Sequence, residues 1–266
     1  MQEHRIEVEE NVSIYVEDSG EGKPILFIHG WPLNHQMFKS QKEALIENGY
    51  RFIGVDLRGY GQSDKPEQKY SYNVFAKDIK KVVEALQLEN YYLAGFSMGG
   101  PVAIRFATKY ADEQLKKLIL LGAAAPSFTR RMGYDLGMEK DEVTELIEAI
   151  QEDRKSAMED FGGNFFASDV PPEVSEELLE LSMQASKHAT ISAAKELREA
   201  DLRDEVTDIT IPTVVMHGKK DEICEFGFAE ELERLIPKVT LIPFEESGHG
   251  LHYDEAEKLN RELVKL

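Results

Sequence analysis

Residues 91–100 read Tyr-Tyr-Leu-Ala-Gly-Phe-Ser-Met-Gly-Gly, a short apolar run followed by a G-x-S-x-G pattern and a helix-like stretch. Between a strand and a helix, this pattern is typical of a sharp turn that holds a serine hydroxyl clear of the backbone, with glycines where side chains would collide. Ser97 is therefore a candidate nucleophile. The pattern alone is equally compatible with a serine in an ordinary tight turn, so the assignment depends on partners elsewhere in the chain.

Short apolar runs alternate with helical patterns on both sides of this turn. Near the start of the chain, two segments of alternating polarity predict an antiparallel edge hairpin at Arg5–Glu9 and Val12–Glu17. The other predicted strands are Ile25–His29, Phe52–Asp56, Tyr91–Phe96, Leu118–Leu121, Pro212–Met216 and Val239–Ile242, and the predicted helices between and after them are Gln36–Asn48, Asn73–Leu88, Gly99–Tyr110, Phe226–Leu235 and Asp254–Val264. This order predicts an α/β protein with a mostly parallel eight-stranded sheet flanked by helices.

The alternation stops at Gly122, and residues 122–210 show helical periodicity without strands. Helices are predicted there over Lys140–Asp160, Glu173–Ser186 and Ile191–Leu202. A helical insertion after the sixth strand indicates a cap over the carboxyl edge of the sheet, where α/β proteins bind ligands. We therefore expect residues 1–121 and 211–266 to form an α/β core, and residues 122–210 to form a helical cap.

The charge of the chain argues against polyanionic partners. It has 31 basic and 50 acidic residues, a net charge of −19, and residues 122–210 hold 9 of the basic and 21 of the acidic ones. A strongly acidic surface repels phosphate backbones and anionic lipid, so we expect neither a nucleic-acid nor a membrane partner. The acidity can equally serve solubility alone.

The sequence shows no pattern of a membrane-spanning, secreted or metal-binding protein. It contains no apolar run long enough to span a membrane, and its N-terminal segment lacks the features of a secretion signal. The single cysteine, Cys224, cannot form an internal disulfide, and the histidines are scattered rather than spaced as metal ligands. We expect a cytoplasmic protein without a bound metal, and the sequence leaves a homo-oligomer open.

A serine nucleophile needs a base within hydrogen-bond reach and a third group that orients the base. In folds of this kind the partners follow in the chain order Ser…Asp/Glu…His, each on a loop after a later strand. Asp221 follows the strand that ends at Met216, and His249 lies between two glycines after the last strand. His29 and His217 also end strands at this edge, but both precede a suitable acid. The alternatives are that Asp221 caps the next helix, and that His249 is a loop residue without a role.

The tetrahedral intermediate of acyl transfer needs two backbone N–H donors. Met98 directly follows the candidate nucleophile at a helix N-terminus, where the dipole also favours negative charge. The second donor is expected from the His29-Gly30-Trp31-Pro32 loop, and Trp31 is the natural choice because Pro32 has no N–H. Pro32 also restricts the conformation of Trp31 and so shapes this loop. The alternative is an ordinary loop start.

Five segments together resemble the α/β-hydrolase superfamily. They are Phe-Ile-His-Gly-Trp-Pro-Leu (27–33), Asp-Leu-Arg-Gly-Tyr-Gly-Gln-Ser-Asp (56–64), Gly-Phe-Ser-Met-Gly-Gly (95–100), His-Gly-Lys-Lys-Asp (217–221) and Gly-His-Gly-Leu (248–251). More narrowly, the first and third are similar to those of the cofactor-free haloperoxidases, also called perhydrolases, and of related aryl esterases. The resemblance spans nearly the whole chain and implies the α/β-hydrolase fold.

The resemblance implies hydrolysis of a small ester through an acyl-serine, without a cofactor. Hydrogen peroxide in place of water would give a peracid, which oxidises halide. It also implies a hydrophobic acyl pocket next to Trp31 and Met98, formed by Phe128, Phe161, Phe165, Ile223, Cys224 and Phe226. Each aromatic residue could equally belong to an ordinary core. Cys224-Glu225 and His252 depart from the pattern of the family, which leaves the size and polarity of the pocket open.

Other functions remain compatible with the same residues. A lactonase, an amidase or a hydrolase of carbon–carbon bonds would use the same three side chains. A haloalkane dehalogenase or epoxide hydrolase is disfavoured, because those enzymes need a carboxylate where Ser97 stands. A small-ligand receptor that keeps a slow triad would bind its ligand with little turnover.

Overall fold

The computed structural model describes residues 1–68 and 70–266. Its strands are β1 Gln2–Glu9, β2 Val12–Ser19, β3 Lys23–Ile28, β4 Tyr50–Val55, β5 Tyr91–Phe96, β6 Leu115–Leu121, β7 Thr213–Gly218 and β8 Val239–Phe244. They form one eight-stranded sheet in the order β1-β2-β4-β3-β5-β6-β7-β8. β2 pairs antiparallel with both β1 and β4, and the neighbouring strands from β4 to β8 pair parallel. The predicted edge hairpin and mostly parallel sheet are therefore confirmed.

Helices cover the sheet and continue after its last strand. They are α1 Lys39–Glu47, α2 Tyr72–Ala85, α3 Gly99–Lys109, α4 Lys140–Glu152, α5 Arg154–Gly162, α6 Pro172–Met183, α7 Lys187–Glu199, α8 Gly227–Leu235, α9 Leu251–Asp254 and α10 Ala256–Val264. Because helices cover both faces, the central strands are apolar along most of their length, and every residue of β5 is buried. None of the helices described is long and apolar enough to cross a bilayer.

α2 shows how an amphipathic pattern becomes a buried face. Ser71 caps it by accepting a hydrogen bond from the Val74 amide at 3.4 Å. The apolar residues Phe75, Ile79 and Val82 recur at helical spacing and are fully buried. This face contributes to the apolar core of the protein.

Four helices, α4 to α7, lie between β6 and β7, where the periodicity predicted three. The predicted helix over Lys140–Asp160 is two helices, because Asp153 adopts an extended backbone and caps α5. Its carboxylate accepts hydrogen bonds from the amides of Lys155 and Ser156 at 3.1 and 3.2 Å. The division into a core and a cap of residues 122–210 stays a prediction.

The start of α7 lies against loops that follow β3 and β4. The indole N–H of Trp31 donates to the Thr190 carbonyl at 2.9 Å. The Ser186 amide donates to the Gly59 carbonyl at 2.8 Å. The helices between β6 and β7 therefore approach the sheet at the carboxyl ends of its parallel strands, where the candidate site lies.

Candidate active site

Ser97 lies in the sharp turn between β5 and α3. Its φ is +51°, in the left-handed region that side chains rarely adopt. A Cβ on Gly95 would lie 2.2 Å from the Gly99 carbonyl oxygen, and a Cβ on Gly99 would lie 2.4 Å from that of Ile28. Both positions therefore need glycine. The Ser97 amide donates to the Leu121 carbonyl of the neighbouring strand at 2.9 Å, which fixes the turn to the sheet.

A continuous chain of hydrogen bonds joins Ser97, His249 and Asp221. His249 Nε2 lies 2.9 Å from Ser97 Oγ, and His249 Nδ1 lies 2.8 Å from Asp221 Oδ2. All three residues are buried. The structure thus brings together three residues that are far apart in sequence, in the arrangement of a nucleophile, a base and an acid that orients the base.

The two oxygens of Asp221 have different partners. Oδ1 accepts hydrogen bonds from the amides of Ile223 and Cys224 at 2.9 and 2.8 Å, and Oδ2 faces His249. Burial acts to raise the pKa of Asp221, but the charge of His249 and hydrogen bonds from His217 and His249 outweigh it. The pKa is held well below its ordinary value. Asp221 is therefore ionised and can stabilise an imidazolium form of His249.

Aromatic rings surround the His249 imidazole. The ring of Phe96 lies 4.9 Å from it between centroids, and that of Phe165 contacts it edge-on at 5.1 Å. His252 packs behind the same two phenylalanines at 5.3 and 5.9 Å, and burial lowers its pKa to about 3. His252 is therefore a neutral part of an apolar wall that shields His249 from water.

The loop after β3 approaches the nucleophile closely. A Cβ on Gly30 would lie 2.9 Å from the Cβ of Ser97, so the backbone here nearly touches the serine. Trp31 follows, joined to Pro32 by a cis peptide bond, and Met98 lies on the other side of Ser97, directly before the first residue of α3. Among the residues described, neither the Trp31 nor the Met98 amide donates to another backbone group. Both amides are thus available to a ligand.

A narrow apolar cavity opens beside Ser97. The space that the centre of a water molecule can occupy is about 20 Å³, little more than one water requires. Four lining residues agree with the resemblance or the loop prediction, namely Trp31, Phe128, Phe161 and Ile223. The remaining wall comes from the helices of the insertion, through Val143, Leu146, Ala194 and Leu197. The cavity fits a small apolar group next to the serine hydroxyl.

The cavity is not lined by every residue that the resemblance assigned to the acyl pocket. Those missing from its lining are Phe165, Cys224 and Phe226, and also Met98, which was expected beside the pocket. Phe165 packs against His249, as described above. Phe226 contacts the ring of His217 at 6.1 Å, behind the acid. Cys224 is fully buried, and burial raises the pKa of its thiol well above the usual value. The thiol is therefore protonated and acts as packing rather than as a nucleophile.

A family model described as the alpha/beta hydrolase fold matches residues 23–256. The chain belongs to the α/β-hydrolase family. The hydrolase is 50% identical to the AB hydrolase superfamily protein YisY of Bacillus subtilis, over 99% of this chain and 98% of YisY. It is 30% identical to a putative non-heme chloroperoxidase of Synechocystis, over 96% of this chain and 95% of that protein.

A solved structure supports the same placement. An esterase from Exiguobacterium antarcticum is 48% identical to the hydrolase, covers 99% of this chain and 98% of its own, and superposes with a TM-score of 0.98. The resemblance inferred from the sequence motifs is therefore confirmed. The hydrolase has relatives named as esterases and as non-heme haloperoxidases.

Two histidines rejected as bases support the site of this hydrolase instead. The Leu57 amide donates to His29 Nε2 at 3.0 Å, so Nδ1 carries the proton and donates to the Gly30 carbonyl at 2.9 Å. Burial lowers the pKa of His29 to about 4. His217 Nε2 donates to the Cys224 carbonyl at 2.6 Å. Only their position at the ends of β3 and β7 signalled these roles in the sequence.

Proposed function

We propose that this α/β-hydrolase is a serine esterase that acts on small carboxylic esters through an acyl-serine intermediate. The observation that carries the proposal is the hydrogen-bonded chain from Asp221 through His249 to Ser97, next to a narrow apolar cavity. These hydrogen bonds allow His249 to activate the Ser97 hydroxyl, and the cavity accepts a small acyl group.

In the acylation step, His249 Nε2 takes the proton of Ser97 as Oγ attacks the ester carbonyl. Asp221 stabilises the resulting imidazolium. The negative charge that develops on the carbonyl oxygen is bound by the amides of Trp31 and Met98, which supply an oxyanion hole. His249 then donates its proton to the leaving alcohol, and the acyl group remains on Ser97.

In the deacylation step, His249 activates a second nucleophile that attacks the acyl-serine. Water gives the carboxylic acid and restores Ser97. Hydrogen peroxide in its place gives a peracid, with the peroxide proton passing to His249 and then back to Ser97. The peracid can oxidise bromide in solution. The 30% identity to a putative non-heme chloroperoxidase favours this second activity.

The decisive experiment measures turnover of p-nitrophenyl acetate by the wild type and by Ser97→Ala. We expect the substitution to abolish both the pre-steady-state burst and the steady-state turnover. Wild-type activity in Ser97→Ala would overturn the proposal. Stoichiometric ligand binding by the wild type without burst or turnover would favour a receptor instead.

A panel of substrates separates the esterase from its alternatives. We expect acetyl and propionyl esters to be hydrolysed with higher kcat/KM than octanoyl esters, amides or lactones. Addition of hydrogen peroxide, bromide and an organic compound that accepts bromine should give the brominated compound only when both Ser97 and a small carboxylic ester or acid are present. Halogenation that persists in Ser97→Ala would show that the reaction with peroxide does not use Ser97.

A further inference from the structure

The segment 165–167, which we call the strap, crosses directly over the loop that carries His249. The Gly250 amide donates to the Phe165 carbonyl at 2.7 Å. The Phe165 side chain meanwhile contacts the His249 ring edge-on, with centroids 5.1 Å apart. The strap therefore contacts the side chain of the candidate base and the backbone of the residue that follows it.

The two glycines that flank His249 are required by this crossing. A Cβ on Gly248 would lie 2.8 Å from the Ala167 amide nitrogen, and a Cβ on Gly250 would lie 2.5 Å from Cδ1 of Phe166. Both distances are shorter than real contacts of this kind allow. The Gly-His-Gly sequence thus reflects a backbone that is covered on both sides of the histidine by the strap.

Asp254, at the end of α9, joins the strap to the His249 loop. Its Oδ2 accepts hydrogen bonds from the Gly248 amide at 2.8 Å and from the Ala167 amide at 3.1 Å. Its own amide donates to the Gly250 carbonyl at 2.9 Å. One carboxylate oxygen of Asp254 therefore links Gly248 to the strap. Gly250, on the other side of His249, is hydrogen-bonded both to the strap and to the Asp254 amide.

We propose that Asp254 is a positioning residue that acts through His249, by tying the histidine loop to the strap. The inference rests on the proposed function, in which His249 is the base. Asp254 does not contact the reacting atoms. Without its carboxylate, two amides lose their acceptor, and the loop keeps only the Gly250 hydrogen bond and the Phe165 ring contact to the strap. His249 can then move away from Ser97, and a displacement of about 1 Å can reduce the rate by roughly 100-fold.

The test compares Asp254→Ala with Asp254→Asn. The alanine removes the acceptor, whereas the asparagine keeps one carbonyl oxygen that can accept from both amides and replaces the charged second oxygen by a neutral NH2 group. We expect Asp254→Ala to lower kcat for p-nitrophenyl acetate roughly 10- to 100-fold, with KM changed by less than about twofold because the acyl cavity is untouched. We expect Asp254→Asn to recover most of this loss.

A proton NMR measurement adds a readout that a general loss of stability would not mimic. The proton between His249 Nδ1 and Asp221 should give a downfield resonance in the wild type and in Asp254→Asn, and this resonance should broaden or vanish in folded Asp254→Ala. Glu257→Ala is the matched control, because Glu257 is an exposed acid nearby on α10. The control should retain both the rate and the resonance.

The outcomes separate this inference from the proposed function. Asp254→Ala with wild-type kcat and an intact resonance, or Asp254→Asn as impaired as the alanine variant, would overturn the positioning role. If Asp254→Ala does not fold, Asp254→Asn alone decides, since loss of its rate or resonance contradicts the proposal. Failure of the esterase assignment would show separately, as full activity in Ser97→Ala.

Discussion

At the scale of single residues, Asp221 combines two roles that the sequence presented as alternatives. One oxygen accepts from the Ile223 and Cys224 amides, as an aspartate that caps a turn does. The other faces His249 Nδ1. The hydrogen bonds from the Ile223 and Cys224 amides hold the Asp221 carboxylate in one orientation. This orientation places its other oxygen against His249 Nδ1.

A substitution of Asp221 tests this dual role. We expect Asp221→Asn to keep the turn bonds but to lower kcat for p-nitrophenyl acetate by about 10⁴-fold, because the amide cannot stabilise the imidazolium form of His249. Steady-state kinetics at pH 7 to 8 measure the loss. Glu222→Gln, at the exposed neighbouring position, should remain near wild type. Similar losses in both variants would argue against a specific role for Asp221.

The hydrogen bond between Ser97 and His249 implies that the two residues act as a unit. We expect Ser97→Ala, His249→Ala and the double variant to lose similar activity, each roughly 10⁴-fold or more. Removing one partner already disables the other, so the losses should not multiply. Comparison of kcat/KM among the wild type, the two single variants and the double variant gives the coupling energy between Ser97 and His249. Multiplicative losses would show that the residues contribute independently.

At the scale of elements, the helices of the insertion complete a site that the sheet begins. α4 and α7 supply much of the cavity wall, and Phe161 of α5 packs edge-on against Trp31 with centroids 4.9 Å apart. The Trp31 indole is also hydrogen-bonded to Thr190 of α7. The volume of the cavity and the position of the Trp31 loop therefore depend on the same helices.

Removal of the Phe161 ring should enlarge the acyl cavity. We expect Phe161→Ala to raise kcat/KM for butyryl relative to acetyl esters of p-nitrophenol by about tenfold, since a butyryl group has two more methylenes and each contributes about 0.8 kcal/mol when buried. A chain-length series measures the ratio. Met183→Ala, an exposed position at the end of α6, is the control and should leave the ratio unchanged. An unaltered preference in Phe161→Ala would place the acyl group elsewhere.

At the scale of the whole molecule, a buried charge cluster joins β2, β4 and the turn before α1. His35 Nδ1 lies 2.6 Å from Asp56, and its Nε2 lies 3.2 Å from Glu17. Burial acts to lower the pKa of His35, but the hydrogen bonds that its ring donates to both carboxylates, and their negative charges, outweigh burial and raise the pKa to about 9. His35 is thus a cation at neutral pH and pairs with both buried acids, and Lys42 Nζ, 3.0 Å from Glu17, supplies a second positive charge.

This cluster predicts a pH-dependent contribution to stability. Because the pKa of His35 is raised from 6.5 to about 9 on folding, its stabilisation is complete below about pH 6.5 and is lost as the pH rises through 9. We expect His35→Gln to lower the free energy of unfolding by about 3 kcal/mol near pH 6, and by much less near pH 10.

Urea unfolding of both proteins across this pH range measures the difference. His188→Gln, at an exposed histidine, serves as the control and should match the wild type throughout. A difference between wild type and His35→Gln that stays constant from pH 6 to 10 would contradict a charged His35.

Much of this protein could be predicted from sequence because the signals are local. Alternation of apolar runs and amphipathic helices reports the sheet and its flanking helices, and the Ser97 turn needs glycines at fixed neighbouring positions. Ser97, Asp221 and His249 each follow a different parallel strand, and the carboxyl ends of these strands lie at the same edge of the sheet. The break at Asp153 was missed, because a capping residue inside a helical pattern resembles an exposed helical position.

The enclosure of the site and the support of His249 depend on contacts that the sequence pattern does not show. Contacts between Trp31 and Thr190, and between Phe165 and the His249 loop, join residues far apart in the chain. The hydrophobic periodicity of a segment cannot predict such contacts, because they depend on the path of the insertion over the sheet. The sequence pattern was therefore sufficient for the fold and for a candidate triad, whereas the cavity and the contacts around His249 depend on how the insertion packs over the sheet.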